Sequence, residues 1–245
     1  MNREGLYIQA AVSVFALEEA YSQEGLRRSV SHAKGRNAHM KILIINGSPH
    51  KDGTTNAALS EVKKILEEEG IEAEILHVGA ASIRGCCACF SCKKTGKCVI
   101  DDLVNVAAEK FKEADGLIVG SPVYYASPNG NLISFLDRLF YSSHFDKTMK
   151  VGAAVVCARR GGCSASFDVI NKYFGISGMP TVPSTYWNQV HGTCKEDALL
   201  DEEGMMCMRN LARNTAFLVK SIALGKDAFG MPKGESGIRT NFIKK

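Results

Sequence analysis

The sequence Lys41-Ile-Leu-Ile-Ile-Asn46 leads directly into Gly47-Ser-Pro-His-Lys-Asp-Gly-Thr-Thr-Asn56, and this stretch decides the fold. The uninterrupted apolar residues from Ile42 to Ile45 are typical of a parallel strand that is buried on both faces. The hydroxyl-rich loop that follows meets the start of a predicted helix, where free N–H groups and the helix dipole bind anions. We therefore predict a strand, a phosphate-binding loop and a helix. The alternative is an ordinary capped helix without a ligand, because Ser and Thr are common N-cap residues.

The loop at 47–56 differs from the common nucleotide-binding loops. It lacks the Gly-x-Gly-x-x-Gly fingerprint of dinucleotide-binding folds, and no Lys-Ser/Thr pair follows its second glycine as in a P-loop. A loop rich in hydroxyls suits the single terminal phosphate of FMN better than a triphosphate with magnesium. We expect Ser48, Thr54, Thr55 and Asn56 to meet the anion at the start of the helix.

From residue 40 onward, apolar strand patterns alternate with helical patterns. The predicted strands are 41–46, 72–78, 116–121, 151–157 and 180–186, and the predicted helices are 55–69, 102–114, 129–142, 164–174 and 203–224. Continuous apolar runs indicate strands covered on both faces, so we predict a doubly wound α/β fold: a five-stranded parallel sheet between two helical layers. Right-handed crossovers place every strand-to-helix loop at one rim of such a sheet, and the ligand is expected there.

We divide the chain into an N-terminal extension (1–39), one α/β domain (40–225) and a C-terminal tail (226–245). Met40 immediately precedes the first predicted strand. Our hypothesis is that Met40 is the native start, and the alternative is a genuine helical arm. Mass analysis of the N-terminus of the natively expressed protein distinguishes the two, since Met1 or Asn2 at the terminus would contradict the hypothesis.

The composition excludes several classes of protein. The 30 basic and 26 acidic side chains give a net charge of +4, which is too balanced to favour nucleic-acid binding. No apolar stretch approaches the length of a membrane span. Five of the nine cysteines crowd into residues 86–98, whereas a secreted disulfide scaffold would be shorter and would distribute its cysteines. We therefore expect a cytoplasmic protein that uses cysteine for metal or redox chemistry.

A second loop follows the third predicted strand and reads Ser121-Pro-Val-Tyr-Tyr-Ala-Ser-Pro-Asn-Gly130. Its prolines stiffen it, and Tyr124 and Tyr125 supply flat apolar faces with polar tips. Such a loop can pack against an isoalloxazine ring. The alternative is that the two tyrosines simply cover the end of the sheet.

A third loop follows the fourth predicted strand and reads Cys157-Ala-Arg-Arg-Gly-Gly162. Gly161 and Gly162 allow close approach of the backbone to a ligand. Arg159 or Arg160 could stabilise negative charge on a reduced flavin, or either could be a solvated surface arginine.

These three loops together resemble the NAD(P)H-dependent FMN reductase family of flavodoxin-like proteins, most closely its iron–sulfur flavoprotein branch. The second motif continues into Phe135-Leu-Asp-Arg138, and the resemblance covers residues 40 to about 224. It implies sheet order 2-1-3-4-5, FMN at the carboxyl rim, a reductase activity, and homodimers or homotetramers with the flavin near a subunit interface. The residues it implies are Ser48, His50, Thr54, Thr55 and Asn56 for the phosphate, and Pro122, Val123, Tyr124 and Tyr125 for the ring. From the third loop we add Arg159 and Gly161 as candidate cofactor-binding residues. The family often has Arg where this chain has His50.

The cysteine-rich segment has the spacing Cys-x₂-Cys-x₂-Cys-x₅-Cys, formed by Cys86, Cys89, Cys92 and Cys98. Compact spacing of this kind lets one loop wrap a [4Fe–4S] cluster, and it resembles the compact motif of iron–sulfur flavoproteins. Free redox-active thiols and a zinc site are the alternatives. Cys87 could replace Cys86 as a ligand.

We expect an enzyme that transfers hydride from NADH or NADPH to FMN and onward to a small-molecule or protein acceptor, because a flavin accepts two electrons and can release them singly to a cluster. The alternatives are a non-enzymatic electron carrier between redox partners and a flavin- or thiol-based redox sensor. Trp187 and His191, which follow the last predicted strand, are candidates for a wall of the substrate pocket, or alternatively for a subunit contact.

Overall fold

A computed structural model describes residues 39–235, 237, 238 and 240 of the chain. Residues 38–220 form one compact unit, and residues from Ser221 onward belong to a second unit. The expectations for the N-terminal extension lie outside the described residues, apart from His39.

The described residues contain six strands and seven helices. The strands are β1 (Lys41–Asn46), β2 (Glu72–His77), β3 (Gly116–Tyr124), β4 (Ser127–Pro128), β5 (Val151–Ala158) and β6 (Gln189–His191). The helices are α1 (Thr54–Glu68), α2 (Cys92–Thr95), α3 (Leu103–Glu113), α4 (Gly130–Ser142), α5 (Cys163–Ile176), α6 (Lys195–Leu200) and α7 (Glu202–Phe229).

The sheet has the order β2-β1-β3-β5-β6, and all of these neighbours are parallel. The two-residue β4 pairs antiparallel with the end of β3 and makes a short hairpin. Without β4 this is the predicted order 2-1-3-4-5. The predicted doubly wound, three-layer fold is therefore confirmed.

Alternate residues of the central strands face two helical layers. Leu43 of β1 packs in one cluster with Phe111 of α3 and Leu136 of α4, and all three are fully buried. On the other face, a methyl group added to Gly120 of β3 would lie 2.6 Å from Leu59 of α1. The central strands are therefore covered on both sides, and all residues from Ile42 to Ile45 of β1 are fully buried, as the apolar run predicts.

The predicted fifth strand at 180–186 is wrong in its position. Thr181 forms an isolated bridge with Gly152, but the chain then leaves the sheet and returns only as β6. Pro183 lacks an N–H group and cannot continue a ladder. Residues 183–188 instead line a cavity of about 420 Å³ beside Phe167 of α5.

The observed helix bounds agree with the predicted ones at some ends and differ at others. The Asp102 side chain caps α3 by accepting a hydrogen bond of 3.0 Å from the Val104 N–H. Helix α7 extends to Phe229, beyond the predicted end at 224. The short helices α2 and α6 were not predicted. Within the described part of the chain, no helix is long and apolar enough to cross a membrane.

Candidate functional site

The loop between β1 and α1 lies at the carboxyl end of a central strand, where ligands bind in this class of fold. Helix α1 has 15 residues, and no side chain caps its first turn because the N-cap residue is Gly53. The N–H groups of Thr54, Thr55 and Asn56 have no acceptor among the described residues. The positive end of this helix is thus available to an anion such as the phosphate of FMN.

Polar side chains at the end of β1 and at the start of α4 fix the path of this loop. The Asn46 side-chain oxygen accepts a hydrogen bond of 3.0 Å from the Ser48 N–H. The Asn129 side-chain amide donates to the Gly47 carbonyl at 2.7 Å. The Ser48 hydroxyl accepts from the His50 N–H at 3.2 Å. The loop is therefore shaped by its own contacts with the sheet.

The structure brings the predicted phosphate residues together but gives three of them other side-chain partners. The Thr54 hydroxyl donates to the Cys194 carbonyl at 3.0 Å, and the Asn56 side-chain oxygen accepts from Asn46 at 3.2 Å. The Thr55 hydroxyl is hydrogen-bonded with the Cys157 thiol, whose pKa burial raises to about 12. These three residues therefore offer an anion their backbone N–H groups. Ser48 is buried, whereas the His50 side chain is exposed.

A tight backbone contact holds the phosphate loop from the β2 side. A methyl group added to Gly79 would lie closer than 3.0 Å to the carbonyl groups of both Gly47 and Ser48. His77, at the end of β2, makes a hydrogen bond of 2.6 Å between its Nε2 and the Ser48 carbonyl. The loop after β2 and the phosphate loop thus form one packed unit.

The tyrosine loop is the turn of the β3–β4 hairpin. Tyr125 and Ala126 both have left-handed backbones, with φ of 51° and 57°. This conformation is typical of a two-residue hairpin turn and is uncommon for residues other than glycine. The Tyr125 side chain is fully exposed and Tyr124 is 43% exposed, while Pro122 and Val123 are half-buried. Two aromatic faces are therefore presented at the rim.

The loop after β5 packs directly on the tyrosine loop. Gly162 has φ of 95°, and a methyl group there would lie 2.9 Å from Val123 and from Ala126. Arg159, Arg160 and Gly161 are exposed, and neither guanidinium has a hydrogen bond or ion pair with a described residue. The three predicted rim loops thus lie side by side, and an anion site beside flat apolar surfaces fits FMN.

Two residues of this rim were missed by sequence reasoning. Asn129 caps α4 by accepting from the Asn131 N–H at 3.1 Å, while its amide holds Gly47. Its place before a helix indicated the cap, but the contact with Gly47 joins residues 82 positions apart. His77 ends a predicted strand, and nothing in its local sequence indicates that it meets Ser48.

The cysteine-rich segment encloses a separate small cavity against α4. The cavity is lined by Cys86, Cys87, Cys89, Cys92 and Cys98, with Phe90, Val99, Ile100, Arg138, Tyr141 and Ser142. The first three cysteines are exposed, Cys92 is buried and Cys98 is half-buried. The predicted cluster ligands are therefore brought to one place.

The backbone around Cys89 is unusual. Its neighbours Ala88 and Phe90 have φ of 51° and 58°, and left-handed residues of this kind concentrate at functional sites. Hydrogen bonds from the N–H and the hydroxyl of Ser91 hold the pKa of the Cys89 thiol below its ordinary value. A lowered pKa favours the thiolate, which is the form that binds metals.

The surroundings of the cavity suit cysteine sulfur. The Arg138 guanidinium is 1% exposed and donates two hydrogen bonds to the Cys98 sulfur, at 3.3 and 3.2 Å. Burial alone lowers the pKa of Arg138, but its hydrogen bonds with Asp102 and Cys98 outweigh this effect and raise the pKa above its ordinary value. The Ser142 hydroxyl is buried without a hydrogen-bond partner among the described residues. A cationic donor and a hydroxyl without a partner among the described residues therefore line the same cavity as the cysteines.

The spacing of the thiols is a further constraint. No three Cys, His, Asp or Glu side chains of the described residues converge closely enough to hold a metal ion. The cavity itself measures about 20 Å³, which is room for roughly one water molecule. The donor set thus fits a cysteine-ligated cluster in its chemistry, although the described thiols do not converge on a single point.

Trp187 lies on the wall of the cavity beside α5. Its ring contacts Phe167 at 5.9 Å between centroids and Tyr186 at 5.9 Å. His191 is at the end of β6, and its N–H donates to Asp201 at 2.7 Å. A role of Trp187 and His191 in substrate binding stays a prediction.

Comparison with known proteins agrees with this geometry. The sequence model of the NADPH-dependent FMN reductase family matches residues 40–193. An iron–sulfur flavoprotein of Methanocaldococcus jannaschii is 34% identical over 195 residues, which is 75% of this chain and 99% of that protein. One from Methanosarcina thermophila is 29% identical over 192 residues, or 77% of this chain and 100% of that protein.

A solved structure supports the fold independently. The flavodoxin, WrbA-like protein from Agrobacterium tumefaciens has a TM-score of 0.53 and 15% identity, covering 74% of this chain and 98% of that chain. At this identity the likeness concerns the fold alone, which is flavodoxin-like. Because the family model spans more than half of the sequence and the M. jannaschii relative is matched over nearly its whole length, the chain belongs to the NADPH-dependent FMN reductase family, in its iron–sulfur flavoprotein branch.

Proposed function

We propose that this protein takes electrons from NADH or NADPH through FMN and delivers them to a small-molecule or protein acceptor. Family membership supports the broader assignment, an FMN-dependent oxidoreductase. The single observation that carries the proposal is the uncapped N-terminus of α1. It lies in a hydroxyl-rich loop that Asn129 joins to the base of the tyrosine loop.

The chain's residues would bind and orient FMN. The N–H groups of Thr54, Thr55 and Asn56 would bind the phosphate together with Ser48, and the exposed His50 would be free to reach it. The segment Pro122–Tyr125 would pack against the ring, with Arg159 and Gly161 in the neighbouring loop. Bound FMN would accept hydride, one hydrogen nucleus with two electrons, from the nicotinamide and pass the electrons on. No side chain needs to act as a nucleophile or general base.

We propose in addition that Cys86, Cys89, Cys92 and Cys98 hold a [4Fe–4S] cluster, which would supply one-electron transfer. The shared cavity and the donors from Arg138 and Ser142 support this assignment. Free thiols and zinc are the competing assignments.

The test is anaerobic purification followed by FMN, iron, sulfide and zinc analysis and titration with NADH and with NADPH. We expect one FMN per chain, broad absorbance near 400 nm that accompanies iron and sulfide, and rapid bleaching of the flavin bands by a nicotinamide. Flavin bands without iron or sulfide would overturn the cluster, and absence of FMN would overturn the function itself.

An electron carrier that needs no nicotinamide is the second candidate. It is favoured by the apolar and aromatic side chains exposed around the cysteine cavity, Phe90, Val99 and Tyr141, which suit contact with a partner protein. The same preparation separates the two functions. Bleaching by NAD(P)H supports the reductase, whereas bleaching only by reduced ferredoxin supports the carrier.

A further inference from the structure

Arg138 is the largest fully buried side chain of the described residues, and its charge lies deep beside the cysteine cavity. Besides the two hydrogen bonds to the Cys98 sulfur, its guanidinium donates to the carbonyls of Arg84 at 3.1 Å and Ile100 at 2.9 Å. A buried cation at this depth requires partners that satisfy it on all sides. Through these contacts the Arg138 side chain of α4 joins the two ends of the cysteine segment, at Arg84 and at Ile100.

Asp102 supplies the counter-charge. Its two carboxylate oxygens accept from the Arg138 guanidinium at 2.6 and 2.9 Å, in the forked arrangement that arginine makes with carboxylates. One of these oxygens also caps α3. The ion pair is thus anchored to α3 through Asp102 and to α4 through Arg138. The guanidinium is therefore held in place by its partners.

Cys98 is held by its backbone as well. Its N–H donates to the Asn105 side-chain oxygen at 3.1 Å, and its carbonyl accepts from the Asn105 amide at 3.0 Å. Among the cysteines at 86–98, Cys98 is the one with both its sulfur and its peptide groups fixed by residues of the adjoining helices. Cys86, Cys87 and Cys89 are exposed on the opposite part of the segment.

We propose that Arg138 is a positioning residue that fixes Cys98 as the anchored ligand and, through its charge, raises the reduction potential of the bound cluster. This inference rests on the proposed cysteine-ligated cluster. Reduction adds negative charge to a cluster, so a cation hydrogen-bonded to a ligand sulfur stabilises the reduced form. Asp102 opposes this effect in part, because its carboxylate neutralises the same cation.

The test is the midpoint potential of the cluster, measured by anaerobic dye-mediated titration of the holoprotein. Asp102→Asn keeps a side-chain oxygen for the cap of α3 and removes the counter-charge, so we expect a more positive potential. The double variant Arg138→Gln/Asp102→Asn removes the cation without leaving a buried carboxylate unpaired. Relative to Asp102→Asn, we expect its equilibrium constant for one-electron reduction to fall about tenfold, which corresponds to about 59 mV.

Lys94→Gln is the matched control, since it removes a positive charge from an exposed side chain of the same segment. Solvent screens exposed charges, so we expect a much smaller shift than in the double variant. The proposal is supported if the potential of Asp102→Asn is more positive than that of the wild type and the potential of the double variant is more negative than that of Asp102→Asn. A double variant whose potential equals that of Asp102→Asn, with equal iron content, overturns the proposal. A merely structural role of Arg138 predicts no such change of the potential when its charge is removed.

If the wild-type protein contains no iron or sulfide, the proposed cluster is contradicted. The positioning of Cys98 is then tested on the metal-free chain. Iodoacetamide labelling followed by peptide mass analysis should modify Cys98 more slowly than Cys86 and Cys89. In the double variant we expect Cys98 labelling to accelerate at least tenfold, while Cys86 labelling stays unchanged. Equal Cys98 labelling rates in the two proteins would overturn the positioning role.

Discussion

Replacing Gly79 with alanine probes the contact that holds the phosphate loop. The added methyl group would lie closer than 3.0 Å to the carbonyl groups of Ser48 and Gly47, and every one of these atoms belongs to the backbone. Ordinary carbon contacts are about 3.5 Å or longer, so one of the two segments has to move by roughly 1 Å. A flexible side chain cannot absorb this displacement.

Overpacking of this kind typically costs about 1–3 kcal/mol, and we expect about 2–3 kcal/mol because only backbone atoms can yield. Part of the cost appears as lower stability of the FMN-free protein. If the loop relaxes instead, the N–H groups at the start of α1 leave the geometry that binds phosphate. A loss of 2–3 kcal/mol in binding corresponds to about 30- to 150-fold weaker FMN affinity.

Two assays separate these outcomes: denaturant unfolding of the FMN-free protein, and titration of FMN by quenching of its fluorescence. Gly85→Ala is the matched control, since a methyl group there meets only the Ser134 hydroxyl, at 3.9 Å. We expect Gly85→Ala to behave like the wild type in both assays. A Gly79→Ala protein with wild-type stability and wild-type FMN affinity would refute the reasoning that packing against the loop after β2 shapes the phosphate loop.

Three further predictions concern stability and thiol chemistry. Gly175→Ala in α5, where a methyl group meets nothing within 4 Å, should raise the free energy of unfolding by about 0.5–1 kcal/mol in denaturant titration, and an unchanged value would contradict the helix-propensity argument. Phe111→Ala should lower the free energy of unfolding by about 3–5 kcal/mol because the ring is fully buried. Phe217→Ala, whose ring is 70% exposed, should change it by less than about 0.5 kcal/mol. Similar losses in the two variants would show that burial of the ring does not determine its contribution to stability. Because burial raises the pKa of Cys157 to about 12, its contribution to stability is complete below the thiol's unfolded pKa of about 8.5 and declines as the pH rises towards 12. Unfolding midpoints measured across this range should fall more steeply for the wild type than for Cys157→Ala, and parallel curves would argue against a protonated buried thiol.

The fold was predictable where local patterns are strong. The apolar run from Ile42 to Ile45 indicates a strand covered on both faces, and all four side chains are fully buried. The fifth strand was misplaced because the Thr, Val and Tyr residues of 180–186, which are common in strands, do not reveal which of them find a partner. Pro183 is the local signal against a continuous strand, and the pairing of β6 with β5 depends on residues more than 30 positions away.

The candidate site was predictable in position but less so in chemistry. The hydroxyl-rich loop lies at the rim as expected, yet Thr54 and Asn56 direct their side chains to Cys194 and Asn46. Local sequence cannot show this, because the partner of Thr54 is 140 residues away. Arg138 was visible only as part of a motif. Its contact with Cys98 spans 40 residues and follows from the packing of α4 against the cysteine segment.

The interruption of the sheet at residues 183–188 bears on how copies of this protein can meet. An exposed edge strand offers a row of unpaired backbone groups on which another chain can add a strand, and long edges of this kind promote aggregation. Here β6 has only three residues, and the chain on its N-terminal side leaves the sheet at Pro183. This edge is therefore too short to template a foreign strand. Self-assembly on this side of the molecule would have to rely on side-chain contacts such as those of Tyr186 and Trp187, and not on an extended sheet.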